Sequence, residues 1–141
     1  MSPNWILAAQ LAHMALTLGL LAWLGLSRVR AAKAGAVKLD NIALSSEGWP
    51  ARVRQIGNNY QSQFELPVMF HILCLLLLMQ GPVHIGFAVL AWAFVALRCV
   101  HSLIHVTSNH VIRRFQVFLA GVVVVALMAA GLALQLVMKA L

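Results

Sequence analysis

Four apolar stretches divide this chain of 141 residues: Trp5 to Leu26, Leu66 to Met79 with a polar lead-in from Asn58, Val83 to Leu97 continuing to Thr107, and Phe115 to Met138. With its flanks, each reaches the roughly 20 residues that a helix needs to cross a bilayer. The middle pair is the weaker on hydropathy alone, because the apolar part of each falls short of that length without its flanks. Hydrophobic residues make up 62% of the chain and charged residues 9%, against about a quarter charged in a soluble domain. Four buried core helices of a soluble protein are the competing reading, but they would leave almost no polar faces to cover them. The pattern predicts an all-α integral membrane four-helix bundle of up-down topology. It forms one domain, with spans near 4–28, 56–80, 82–108 and 113–138. The first stretch lacks a charged leader and a small-residue cleavage site and exceeds a signal peptide's apolar region, so it reads as a retained helix.

Positive residues accumulate on the cytoplasmic side of inserted helices. Arg28, Arg30, Lys33, Lys38, Arg52 and Arg54 fall between the first two stretches, Arg113 and Arg114 between the last two, and only Lys139 on the other side. Both termini and the Gln80-Gly81-Pro82 turn are therefore expected on the non-cytoplasmic side. The net charge of +7 raises nucleic acid as a partner, yet the basic residues flank spans and form no separate basic surface. Topology accounts for them, and no nucleic acid is expected. The connector from Ala31 to about Arg52 mixes Gly35, Asn41, Ser45, Ser46, Gly48 and Pro50 with scattered charge. Lys33, Lys38 and Trp49 suit the lipid interface.

Cys74 lies much closer to Gly81 along the chain than Cys99 does. That axial mismatch opposes a disulfide, which needs Cα atoms within about 7 Å. They make no paired short spacing for a metal either, so both read as buried apolar thiols and no metal is expected. Pro82 is expected in the first turn of the third helix. Pro67, inside the second, leaves the carbonyl of Gln63 without its donor, which predicts a kink or a local polar contact near Glu65.

Glu65 is the only acidic residue after position 47, and it stands at the mouth of the second apolar run. Glu65 and Arg98 are almost equally distant from Gly81, one before it and one after. Two helices rising about 1.5 Å per residue would bring these opposite charges to one depth. Ionisable groups within a bilayer are functional candidates by default. Around them, Arg54, Asn58, Gln61, Ser62 and Glu65 recur every three or four residues and share a helix face, as do Arg98, His101, His105 and Asn109. Structural pairing alone can produce such stripes. The excess of cations and amides over one carboxylate favours a small charged ligand entering from the cytoplasmic side, beside an apolar groove for something lipophilic. Arginines bind carboxylates bidentately, Glu65 can accept an ammonium, and a nearby arginine favours a thiolate. Glutathione fits this composition, although spacing does not select it.

The segments NNYQSQFELPVMF, residues 58–70, and LRCVHSLIHVTSNHVIRRF, residues 97–115, resemble the two signature regions of the MAPEG family, the membrane-associated proteins in eicosanoid and glutathione metabolism. Length and four-span layout match as well. The resemblance implies a homotrimer with glutathione as co-substrate, bound between subunits near the cytoplasmic side. It also implies a transferase or peroxidase activity on lipophilic electrophiles. A non-catalytic lipid-binding or scaffold role is the alternative within the family. Glu65, Arg98 and His101 match ligand-site positions of the family, and Arg28 resembles another ligand-binding arginine. Arg114 falls where the family places the arginine that stabilises the thiolate, with Arg113 one residue out of register.

The departures are specific. Asn58 and Ser62 stand where the family usually brings an arginine and an asparagine, and His105 stands at a frequent tyrosine, where it would donate a hydrogen bond but titrate near neutrality. His13, His71 and His84 read as paired interior or interfacial histidines. A bis-histidine haem carrier would need ligands at one depth, and His101 lies much farther from Gly81 than His71 does, so His13 would have to serve. A proton-coupled exporter built on Glu65 is a third class. The composition, without an organelle signal, is compatible with a bacterial inner membrane.

Overall fold

The computed structural model describes residues 4–43 and 45–141, apart from the side chains of Leu39 and Asn41. Asn41, read above as part of the connector, is thus described through its backbone only. Among the described residues, six α-helices follow in order: α1 (Asn4–Lys33), α2 (Leu39–Ile42), α3 (Ala51–Gln61), α4 (Leu66–Met79), α5 (Ile85–Val106) and α6 (Val111–Ala140), with a 3-10 turn at Ser62–Phe64 between α3 and α4. Counting α3 and α4 together from Ala51 to Met79, four helical segments among the described residues are long and apolar enough to cross a membrane. The helices run beyond the expected spans at Lys33, Ala51, Val111 and Ala140 and stop short of them at Met79, Ile85 and Val106. Lys139 Nζ donates to the carbonyl of Gln80 at 3.0 Å, which places the chain's end beside the α4–α5 turn. Up-down packing follows.

Pro67 decides the second rod. A proline needs no N–H only in the first turn of a helix, and the helix breaks at Glu65 so that Pro67 becomes one of the first residues of α4. The expected kink is therefore a full interruption. At the other end, α4 stops at Met79 and Gly81 takes φ +93°, a left-handed conformation that glycine adopts freely. Pro82 lies in the turn itself, contrary to its expected place in the next helix, because His84 caps α5 by accepting from the N–H of Gly86 at 3.1 Å.

The core is apolar and aromatic. Phe70 of α4 and Phe94 of α5 stack with centroids 4.4 Å apart, and Ile6, Ala9, Cys74, Ala91 and Met128 close around them. A smaller cluster of Leu24, Val53 and Ile56 joins α1 to α3. Large apolar side chains also cover the outside, among them Leu11, Leu18, Val89, Leu119 and Leu127. On a soluble protein such a surface would be an aggregation liability; a membrane protein can cover it with acyl chains or with a second copy. Cys99 is on this outer surface, contrary to its expected burial, because it follows inward-facing Arg98 by one position and so turns about 100° away. Cys74 is buried, and both thiols are free.

Candidate functional site

Ser62 and Arg98 hold the two polar stripes together. The guanidinium of Arg98, 2% exposed, donates from Nη2 to the carbonyl and the hydroxyl of Ser62, each at 3.0 Å. In an unbroken helix that carbonyl would accept the N–H of residue 66; the Pro67 interruption frees it. The Ser62 hydroxyl in turn donates a hydrogen bond to the carbonyl of Asn59 at 2.8 Å. Gln63, 3% exposed, donates to the same carbonyl at 2.9 Å and to Ser102 on α5 at 3.3 Å. Intramembrane polar groups here find partners across helices, as the apolar medium requires.

The expected ion pair is absent. Glu65 acts on Arg98 only through space, and its exposed side chain turns to a cavity instead. Two causes combine. Residues 82–84 are not helical and so do not advance along an axis by the fixed helical rise on which the depth count relied. In addition, the break at Glu65 leaves the Ser62 carbonyl open, and it is this carbonyl and the Ser62 hydroxyl that take the Arg98 guanidinium.

That cavity, of about 310 Å³, is lined by Asn58, Ser62, Glu65, His101, His105, Val111, Arg114, Phe115 and Phe118. Four segments build it: α3, the turn after it, the last turns of α5 and the first turns of α6. Six of the nine expected site residues therefore meet in one place. Arg98 lies behind the wall, held on Ser62. Arg113 is exposed and not part of the lining, since the rotation between neighbouring helical positions separates it from Arg114. Arg28 is exposed too, with its guanidinium 5.3 Å from the centre of the Trp49 ring, a cation–π arrangement away from this cavity within its own chain.

Local chemistry sets each lining residue. Arg114 Nη1 donates to Asn109 Oδ1 at 2.6 Å. Asn109 takes φ 48°, and its N–H closes on the carbonyl of Ile104 at 2.8 Å, which ends α5; asparagine tolerates this left-handed conformation better than most side chains. It therefore belongs to the turn and leaves the helical stripe in which the sequence placed it. From α3, Gln55 Nε2 donates to the carbonyl of His105 at 2.6 Å, and Arg52 donates to that of Val106. Two of the unpaired carbonyls of a helix C-terminus are thus covered, one of them by a cation, and the backbone that carries His105 is fixed.

Asn59, Gln63 and Ser102 were not singled out by the sequence as parts of the site. They lie next to the striped positions, and their burial is not readable from periodicity. His13 and His71 share a hydrogen bond, Nδ1 to Nε2 at 3.1 Å, and Gln10 donates to the carbonyl of His71 at 3.3 Å. They are the paired interior histidines expected. Since they bond each other, His13 is not placed as a haem ligand opposite His101.

No curated protein and no solved structure matches the chain. The model of the MAPEG family matches residues 6–134, a span that takes in the whole cavity and nearly all of the four membrane-crossing segments. The chain is a four-span integral membrane protein that belongs to the MAPEG family.

Proposed function

We propose that this protein binds glutathione in the cavity between α3, α5 and α6 and transfers it to lipophilic electrophiles, or uses it to reduce lipophilic peroxides. One observation carries the reading: in a chain of this family, a carboxylate (Glu65), a guanidinium (Arg114), two imidazoles and two small polar groups converge on one pocket edged by Val111, Phe115 and Phe118. Glu65 suits the ammonium of the peptide. Arg114 suits its thiolate, lowering the cost of the nucleophilic form. Asn58 and Ser62 supply uncharged hydrogen bonds, Arg98 braces Ser62, and His101 and His105 face the bound molecule. The apolar edge is the side from which a membrane-dissolved electrophile reaches the sulfur.

The assembly we favour is a homotrimer. An apolar groove of about 620 Å³ along α1 and α4, with Leu11, Leu18, Val68 and Leu75 among its lining, is a face on which a second copy fits. Arg28, outside the lining of its own chain's cavity, would serve a neighbour's; Arg113 would lie at the cavity's rim. The basic flanks put the cavity on the cytoplasmic side and both termini on the other, and a bacterial inner membrane fits the composition.

A second reading keeps the fold and drops the chemistry: a lipid-binding or scaffold protein. Asn58 and Ser62, standing where an arginine and an asparagine are usual in the family, favour it by leaving Arg114 the sole guanidinium in the cavity lining. Calorimetric titration of the detergent-purified protein with glutathione separates the two. Binding heat together with thiolate absorbance supports the transferase or peroxidase. Neither signal would leave the scaffold.

A further inference from the structure

His101 and His105, one helical turn apart on α5, set their rings edge to face with centroids 5.7 Å apart. They are 5% and 6% exposed, and the Nδ1 atom of each is buried without a hydrogen-bond partner. Both rings line the cavity, so Nε2 is the nitrogen left to a bound molecule. A neutral imidazole carries one N–H and one lone pair. Because no protein group holds either Nδ1, nothing fixes the tautomer, and Nε2 is free to present its lone pair.

A divalent cation is a poor occupant here. Arg114 lines the same cavity and Arg98 is bonded to Ser62 in its wall, so two guanidiniums repel it, and among the described residues no three His, Cys, Asp or Glu side chains gather to hold one. An acid that gives up a proton and becomes an anion suits the same surroundings. Arg114 is tied to Asn109 just past the end of α5, and His105 is the nearer of the two rings to that end, which singles out His105 as the ring beside the proposed thiolate position.

We propose that His105 Nε2 takes the proton of the bound thiol, an inference that rests on the glutathione reading above. The S–H bond breaks, its electron pair stays on sulfur, and the proton forms an N–H bond on Nε2. Thiolate and imidazolium arise together without change in net charge, the first facing Arg114 and the second sharing the cavity with Glu65. When sulfur attacks, the S–C bond forms as the leaving group departs with its bonding pair, and the imidazolium returns its proton to that group or to solvent. The charged and titratable groups around His105 are Glu65 from the turn before α4, Arg98 and His101 from α5, Arg114 from α6, and Arg52 from α3 at its backbone end. An arginine acting alone could stabilise a thiolate, but it has no lone pair to receive the proton, which would then leave for bulk water.

The fate of that proton is the test. Glutathione is titrated calorimetrically into wild type and His105→Gln at neutral pH, in two buffers of different ionisation enthalpy, with thiolate absorbance read in parallel. The expected wild-type result is thiolate formation with close to no proton released to buffer. In His105→Gln, thiolate at neutral pH should fall about tenfold or more, in line with the loss of a positioned base, and any that remains should release one proton per sulfur ionised. One proton released per thiolate in wild type would overturn the proposal, as would a variant with unchanged thiolate and proton count. If the variant does not fold, the wild-type pair of titrations decides alone. Failure of wild type to bind glutathione at all sinks both this step and the function beneath it, whereas binding with a released proton sinks only this step.

Discussion

Arg98 spends its hydrogen bonds on Ser62 and none on Glu65: Nη2 donates to the serine carbonyl and hydroxyl, each at 3.0 Å. The guanidinium is thus a brace between α5 and the broken second rod, and the carboxylate remains available to a ligand. Replacing Arg98 with Leu keeps apolar bulk but orphans the Ser62 carbonyl next to the interruption. An unpaired buried acceptor costs about 1–3 kcal/mol. Thermal unfolding in detergent should show a loss of that order, and glutathione affinity should drop with it, since Ser62 lines the cavity. Unchanged unfolding would show that the brace carries no weight.

Arg114 and Arg113 differ by about 100° of helical rotation and should differ sharply in consequence. Arg114→Ala removes the one guanidinium of the cavity lining, and loss of a donor aimed at developing charge costs about 10²- to 10³-fold in kcat. Arg113→Ala should stay within a few-fold of wild type. Comparable losses in both variants would mean that the register inferred from α6 is wrong.

Gln55 holds the end of α5 by its 2.6 Å bond to the carbonyl of His105. Gln55→Ala should cost about 1 kcal/mol and, more tellingly, raise hydrogen exchange over residues 103–109 while leaving the α1–α5 core protected. Uniform exchange across both regions would contradict a local clamp.

His13 and His71 should behave as one unit. Either single change to Phe leaves the partner's ring nitrogen without its bond, whereas changing both removes donor and acceptor together. A double-mutant cycle should return a coupling of about 0.5–3 kcal/mol. Additive losses would say that the 3.1 Å contact contributes nothing.

The two thiols offer a direct check on helix rotation. Cys99 is exposed and Cys74 buried. A membrane-permeant maleimide should therefore label Cys99 in the folded protein and reach Cys74 only after denaturation. Labelling of Cys74 under native conditions would put α4 in the wrong orientation.

What the sequence revealed and what it hid divide along one line. Apolar length named the four spans, and three-four periodicity named Asn58, Ser62, Glu65, His101 and His105, because both depend on the chain's own repeat. Arg114 came from likeness to the family, and it stands in the cavity lining. Arg98 faces inward, yet its partner is not the one expected, since counting residues along ideal rods ignores the stretch at 82–84 and the break before Pro67. Asn59, Gln63 and Ser102 carried no periodic signal that set them apart from their neighbours. Asn109 looked helical by spacing and is a terminator by conformation. Errors of this kind concern backbone irregularity, which pairing in three dimensions decides.

The interruption before Pro67 lets one stretch of chain serve two solvents. Up to Gln61 the rod carries amides and guanidiniums that belong beside water and headgroups, while from Leu66 onward it is almost wholly aliphatic and aromatic. A stiff continuous cylinder would have to give both halves a single azimuth. The joint at Glu65 uncouples them, so the aqueous half can aim its amides at a ligand while the oily half chooses its own facing toward the bundle.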